Sequence, residues 1–274
     1  MRLRVFFCCL AAGLSFTVSV AISAAFMMAS PAVAEAASVE QLSNQEVILL
    51  HSIMGFLRPL VEERKKIGTA PLLTFGELYA PLKNEQRAFL DQIRALEPGS
   101  LGGSSRKLPL PSSEDRFIRL DNQMVLRDGT TTAIDTQYLP EPAYRDYQRM
   151  MVAMEQELGK RLLVESGYRS PAYQLYLFLF YIPKHNYSIR ETNRHVALPG
   201  CSEHGSPSCQ AIDFITPHGI NGEERIEEFE ELQEYTWLIN RGKEFGFHLS
   251  YPRGGPSAYE PWHWSWSRAE EKSP

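Results

Sequence analysis

Residues 161–181 read RLLVESGYRSPAYQLYLFLFY, and the way this stretch passes from strand to helix decides the fold class. Arg161 to Glu165 has the character of a short strand, and Pro171 to Tyr181 that of a buried helix. The joint between them, Ser166-Gly167-Tyr168-Arg169-Ser170, is not a Gly-rich phosphate turn. Working outward, strands are expected near Gln210–Ile215, Phe247–Tyr251 and Trp262–Trp266, with a helix from about Glu224 to Lys243. Upstream, Tyr147, Met150, Met151, Met154 and Leu158 form an amphipathic stripe stopped by Gly159, and Phe117 to Leu126 before Asp128-Gly129 resembles a strand or hairpin arm. The irregular alternation points to an α+β domain rather than a doubly wound one.

The N-terminal part has a different character. Ser43 and Glu46 make a capping-box pattern before Leu50, Ile53, Met54, Leu57 and Leu60, and Thr74 and Glu77 open a second helix running to Leu96. Pro59 and Pro81 are expected to kink or interrupt these helices. A Gly/Ser/Pro-rich linker follows from Pro98 to Ser113. The segmentation is therefore 1–34, 35–115 (helical segment and linker), 116–268 (the domain carrying the chemistry) and 269–274 (a tail). Residues 1–34 read as an export signal: Arg2 and Arg4, an apolar run from Val5 to Met28, no charge before Glu35, and Ala32-Val33-Ala34 at a cleavable position. An uncleaved membrane anchor is the rival reading, since about 20 apolar residues span a bilayer. Either way the destination lies outside the cytoplasm, in the periplasm or cell envelope.

The formal net charge of −5 gives no electrostatic case for nucleic acid or for an anionic membrane surface. The sequence does not set the oligomeric state. Cys8 and Cys9 fall in the signal; Cys201 and Cys209 remain, an even pair in an oxidising compartment. They read as a disulfide, or as one zinc ligand.

Of seven histidines, His51, His185, His195, His218 and His248 have unremarkable contexts. His204, in Pro-Gly-Cys-Ser-Glu-His, is followed by Asp213 in Gln-Ala-Ile-Asp-Phe, and His263 stands in Tyr-Glu-Pro-Trp-His-Trp. Two imidazoles and a carboxylate suffice for one catalytic zinc ion with an open fourth position. Glu260, three residues before His263, is the natural proton-transfer group. The spacing alone is weaker evidence than a motif such as HExxH.

Residue identities add to this. Ser166-Gly167-Tyr168-Arg169-Ser170 with Gln174, Ser202-Glu203-His204 with Ala211-Ile212-Asp213, and Phe245-Gly246-Phe247 through Ser250-Tyr251-Pro252 to Glu260-Pro261-Trp262-His263 resemble, in order, the SGYRS…Q, S-x-H…A-x-D and GF…SYP…EPWH segments of the VanY-type D-alanyl-D-alanine carboxypeptidases. The resemblance covers roughly Leu139 to Arg268 and leaves the N-terminal hundred residues uncovered. It implies a small, mostly antiparallel sheet with flanking helices, the Hedgehog/DD-peptidase fold, and zinc-dependent removal of a terminal D-alanine from peptidoglycan stem peptides. His204, Asp213 and His263 would be the zinc ligands, Glu260 the base, and Arg169 a bidentate grip on the substrate carboxylate. Ser202 and Gln174 would contact substrate or support the site. L,D-carboxypeptidase, D-Ala-D-Ala dipeptidase and cross-link endopeptidase activities use the same chemistry. A non-catalytic cell-wall binding module is the alternative of another class. A serine hydrolase built on Ser202, His204 and Asp213 lacks a nucleophile elbow.

Three positions depart from the family pattern. Eight residues, Gly205 to Ile212, separate His204 from Asp213 where six are usual; Cys209 replaces a glycine; Ser265 stands where arginine often follows the Trp-His pair. A Cys201–Cys209 bridge would account for the first two by pinning an enlarged loop.

Overall fold

Helix α1 (Asn44–Lys66) starts where the sequence places it, since Ser43 and Glu46 close a reciprocal capping box. The structure, a computed structural model, describes residues 39–102, 106–127, 129–255 and 257–267. The expected export signal, residues 1–34, and the 269–274 tail lie outside the described residues. No helix among the described residues is long and apolar enough to cross a membrane. Pro59 stays inside α1. The buried face of Leu50, Ile53, Met54, Leu57 and Val61 holds the helix against a local penalty of about 3 kcal/mol.

The second helix of the N-terminal part is two helices, α2 (Phe75–Tyr79), capped by Thr74 and Glu77, and α3 (Asn84–Arg94). Pro81 falls in the break between them. After the linker, the single arm expected from Phe117 to Leu126 is also divided. Strand β1 (Phe117–Leu120) pairs antiparallel with β4 (Gln137–Pro140), and β2 (Met124–Arg127) forms a hairpin with β3 (Thr130–Ala133). Asn122, at φ 59°, makes the corner between β1 and β2. Helix α4 (Glu141–Leu158) stops at Gly159, which takes the left-handed conformation expected of a glycine stop.

The segment that opened the sequence reading is β5 (Leu163–Ser166) and α5 (Pro171–Tyr181), followed by the short α6 (Ile189–Asn193). Then come β6 (Ala211–Ile215), α7 (Ile226–Glu230), α8 (Gln233–Arg241), β7 (Phe247–Leu249) and β8 (His263–Trp266). The expected long helix from Glu224 to Lys243 is interrupted at Leu232, which is extended. The break lets Phe229 on one piece and Trp237 and Leu238 on the other enter the same core. The four-stranded sheet has the order β5-β6-β8-β7 and is antiparallel throughout. The architecture is α+β, with small antiparallel sheets, flanking helices and a helical N-terminal segment.

Two apolar clusters hold this together. One joins α4 and α8 to a single face of the sheet through Val164, Ile212, Phe214, Phe247, Trp264 and Trp266. The other unites α1, α3 and α6 with α5, whose Leu175, Tyr176, Phe178 and Leu179 are all buried. Helix α5 thus carries the N-terminal helices on the domain that holds the sheet.

The loop between β5 and α5 is fixed from both sides. Gly167 N–H donates to Gln137 Oε1 (3.0 Å), Tyr168 N–H to the Tyr138 carbonyl (2.7 Å) and Ser170 N–H to the Pro71 carbonyl (2.8 Å). A methyl group on Gly167 would lie 2.4 Å from the Tyr138 carbonyl oxygen, so the close approach of two backbones requires glycine. Gly167→Ala is expected to cost about 1–3 kcal/mol of stability, whereas Gly55→Ala, exposed on α1 with nothing within 4 Å, should gain about 0.5–1 kcal/mol. Urea unfolding of the two variants, compared at equal m-value, checks both signs.

Candidate metal centre

Side chains alternate along a strand, and β6 and β8 use that alternation to separate core from chemistry. Ile212, Phe214, Trp264 and Trp266 face the apolar cluster; Asp213 and His263 occupy the alternate positions and are direct cross-strand partners. Ser166 of β5 pairs with Asp213 on its other side. His263 Nδ1 lies 2.8 Å from Asp213 Oδ1.

His204 comes from a single 3-10 turn, Glu203–Gly205. Its backbone carbonyl accepts from Arg169 N–H (2.9 Å), and its Nδ1 donates to the Gly167 carbonyl (2.7 Å). Because a carbonyl only accepts, the proton sits on Nδ1 and the Nε2 lone pair is left free. That atom is buried, has no hydrogen-bond partner, and faces Asp213 Oδ2 at 3.2 Å. Two acceptors turned toward each other in a side chain only 1% exposed are unfavourable unless a cation lies between them. Ligand atoms from His204, Asp213 and His263 lie within 4.8 Å of one another. The donor set and the orphaned nitrogen fit a divalent ion of the zinc type.

The surrounding charges set the protonation of this group. Burial and the nearby Arg169 guanidinium push His204 down to about 4, so it is neutral at pH 7. Burial also acts to lower His263, but the hydrogen bonds and charge of Asp213, together with Glu203, outweigh it and raise that imidazole to about 10. Asp213 is held far below the usual carboxylate range, its own burial being overcome by the two histidines. Glu260, with Oε2 3.9 Å from His263 Nδ1, is pushed up to about 7, chiefly by burial.

Two neighbours went unrecognised in the sequence. Glu203 Oε2 accepts from His263 Nε2 (3.0 Å) and from Ser250 Oγ (2.7 Å). Burial pushes its carboxyl up, yet the His263 bond prevails and holds it below its ordinary value. A carboxylate on the outer nitrogen of a metal-binding histidine fixes its ring and raises its basicity. The Tyr251 ring packs 5.0 Å from that of His263. Both residues lie inside motifs already quoted, Ser-Glu-His and Ser-Tyr-Pro, but nothing in their spacing gave them partners.

The remaining candidates are placed as follows. Arg169 stands beside His204 with a buried Nε that has no partner. Ser202 is buried and precedes the His204 turn, where its carbonyl accepts from Gly205 N–H. Gln174 is buried on α5, and its amide donates to the Ala197 carbonyl (2.8 Å), which ties it to the loop before Cys201.

The expected Cys201–Cys209 bridge is absent: both thiols are free. Cys201 is packed into the cluster of N-terminal helices and α5, and a buried neutral thiol needs no partner. The enlarged loop is instead closed by hydrogen bonds. Cys209 N–H donates to Ser206 O (3.2 Å), Ser206 and Ser208 hydroxyls meet at 3.2 Å, and buried Gln210 binds the carbonyls of His204 and Ala211.

Residues 136–269 match the family model VanY, D-alanyl-D-alanine carboxypeptidase. The chain is similar to the bifunctional D-Ala-D-Ala dipeptidase and D-Ala-D-Ala carboxypeptidase VanXYC of Enterococcus gallinarum, 29% identical over 143 residues that cover 46% of this chain. It spans 65% of that relative's length, just under two thirds. Among solved structures it aligns with the LdcB LD-carboxypeptidase at a TM-score of 0.45, 23% identity, over 62% of this chain and 77% of that one. It also aligns with a mutant of the vancomycin-resistance D,D-pentapeptidase VanY in complex with Zn(II), at a TM-score of 0.41 and 22% identity over 61% and 87% of the two chains.

At pH 7 His204 has already lost its second proton, while His263, raised to about 10, still carries one that a metal must displace. Zinc binding at pH 7 is therefore expected to release about one proton per ion. Calorimetric titration in buffers of different ionisation enthalpy measures that number.

Proposed function

With residues 136–269 forming a VanY-type domain, we propose that this protein is an exported peptidase that hydrolyses the terminal D-alanine of peptidoglycan stem peptides, using one zinc ion held by His204, Asp213 and His263. The observation that carries this reading is the convergence of those three side chains within 4.8 Å, with Glu260 at their edge. A zinc ion in such a site supplies Lewis acidity, polarising a carbonyl and lowering the pKa of water to about 7.

The chain's own groups supply the rest. Glu260 has the proton affinity of a base working near neutrality, since burial raises it from 4.5 to about 7. It takes a proton from water and hands it to the departing amine. Arg169, with an unpartnered buried Nε, offers a planar fork to the free carboxylate of the substrate. Ser202 and Gln174 act behind these groups, one shaping the His204 turn and the other bracing the loop. Glu203 and the Gly167 carbonyl keep the two imidazoles in the required tautomers and orientations.

L,D-carboxypeptidase, dipeptidase and endopeptidase activities would use the same groups on a different bond. Defined tri-, tetra- and pentapeptide muropeptides, incubated with zinc-loaded protein and weighed, are expected to lose one alanine residue from the pentapeptide. Loss of a dipeptide, or of the fourth residue alone, would redirect the assignment to those activities. Glu260→Gln is expected to keep its zinc by elemental analysis and to lose about 10²–10⁴-fold in kcat. For the unaltered enzyme, a base must be ionised to act, so kcat/KM should fall as pH drops, with the acid limb lying above the 4.5 of an ordinary glutamate.

A further inference from the structure

Glu260 is delivered by the loop between β7 and β8, and backbone hydrogen bonds close the neck of that loop. Ser250 N–H donates to the His263 carbonyl (3.3 Å), Glu260 N–H to the Tyr251 carbonyl (3.1 Å) and His263 N–H to the Glu260 carbonyl (3.2 Å). The Glu260 carboxylate lies 3.9 Å from His263 Nδ1, outside hydrogen-bond range. Its place against His204, Asp213 and His263 is therefore set by the backbone that carries it.

The outer part of the loop is held by one carboxylate on another element. Glu230, the last residue of α7, accepts from Arg253 Nε (3.2 Å) and from a second nitrogen of the same guanidinium (2.5 Å). It also accepts from the hydroxyl of Tyr259 (2.5 Å), the residue before Glu260. These hydrogen bonds from Arg253 and Tyr259 hold the Glu230 carboxyl below its ordinary range. Because a carboxylate only accepts, the Tyr259 proton points at Glu230, and the Tyr235 hydroxyl of α8 donates to the Tyr259 oxygen at 2.9 Å. On an unbroken helix Glu230 and Tyr235 would diverge by about 140°; the break at Leu232 brings both to one hydroxyl. The corner they stand on is firm, since Phe229 is fully buried and its ring packs 5.8 Å from that of Tyr235.

An exposed ion pair contributes only about 0–1 kcal/mol of stability, and the Arg253 side chain is 63% exposed. Stability thus gives this carboxylate little to do. We propose that Glu230 is a positioning residue, whose carboxylate clamps Arg253 and Tyr259 to the α7–α8 corner and so fixes Glu260 against the centre. The inference rests on the reading of Glu260 as the base of a peptidase. Glu230 belongs to none of the motifs quoted from the sequence.

Amide exchange reads the clamp without turnover, and kinetics read its purpose. In zinc-loaded Glu230→Ala, exchange at the Glu260 amide should quicken at least about tenfold while that of β6 stays unchanged. With a pentapeptide muropeptide as substrate, kcat should fall about ten- to a hundredfold, with KM within about twofold and zinc content unaltered. Placed on Glu260→Gln, the same substitution should cause no further loss, because it acts through that side chain. Glu228→Ala, which removes an exposed acid of the same helix, should change neither readout. Tyr259→Phe, which keeps the ring under Arg253 and removes one hydroxyl, should repeat the pattern more weakly and serves if Glu230→Ala does not fold. Unchanged exchange in both variants, a rise in KM at constant kcat, or an equal loss on the Glu260→Gln background would overturn the proposal. An unaltered protein that releases no alanine counts against the peptidase reading, and the exchange comparison still decides whether the clamp exists.

Discussion

A lone pair on His204 Nε2, turned toward the Asp213 carboxylate at 3.2 Å and sealed from water, is the arrangement on which the rest of the centre depends. The Gly167 carbonyl takes the only proton the neutral ring can offer, so the ring cannot satisfy Asp213 by itself. His263 does so, held protonated between Asp213 and Glu203. The centre is therefore balanced by a proton that a divalent cation can replace, and it is held ready for binding by hydrogen bonds that do not involve the cation.

That balance is built from the backbone outward. Antiparallel pairing of β6 with β8 fixes Asp213 opposite His263, and a slip of one residue would send both into the tryptophan-lined core. The β5–α5 loop brings His204 to them, because its carbonyl at Gly167 and amide at Arg169 grip the His204 turn. This loop is in turn tied to Gln137, Tyr138 and Pro71. Stability of the helical N-terminal layer and geometry of the centre are coupled through these few bonds.

Glu260 and Arg169 differ from His204, Asp213 and His263 in having little to hold them. Glu260 gains its proton affinity from burial, and the buried Arg169 Nε is without a partner. Among the described residues, buried Thr69 Oγ1, Arg161 Nε and Asn193 Oδ1 are also without partners, so incomplete pairing is not confined to the centre.

Local signals were readable in the chain itself. The capping boxes at Ser43 and Thr74 and the glycine stop at Gly159 act within a few residues, so the sequence placed them correctly. His204, Asp213, His263 and Glu260 stood in short motifs whose order could be matched as text. Other features could not be read because they depend on partners far away in sequence. The division of the 117–126 arm follows from pairing with β4 and β3, and the break at Leu232 from two aromatic anchors reaching one core. Cys201 and Cys209 suggested a bridge because sequence shows only their proximity along the chain. Packing of Cys201 into the helical cluster and the hydrogen-bonded loop made it unnecessary. The sequence determined which residues were present and which local turns they favour. Only the tertiary structure decided which imidazole nitrogen faces the carboxylate, since that depends on a carbonyl 37 residues away.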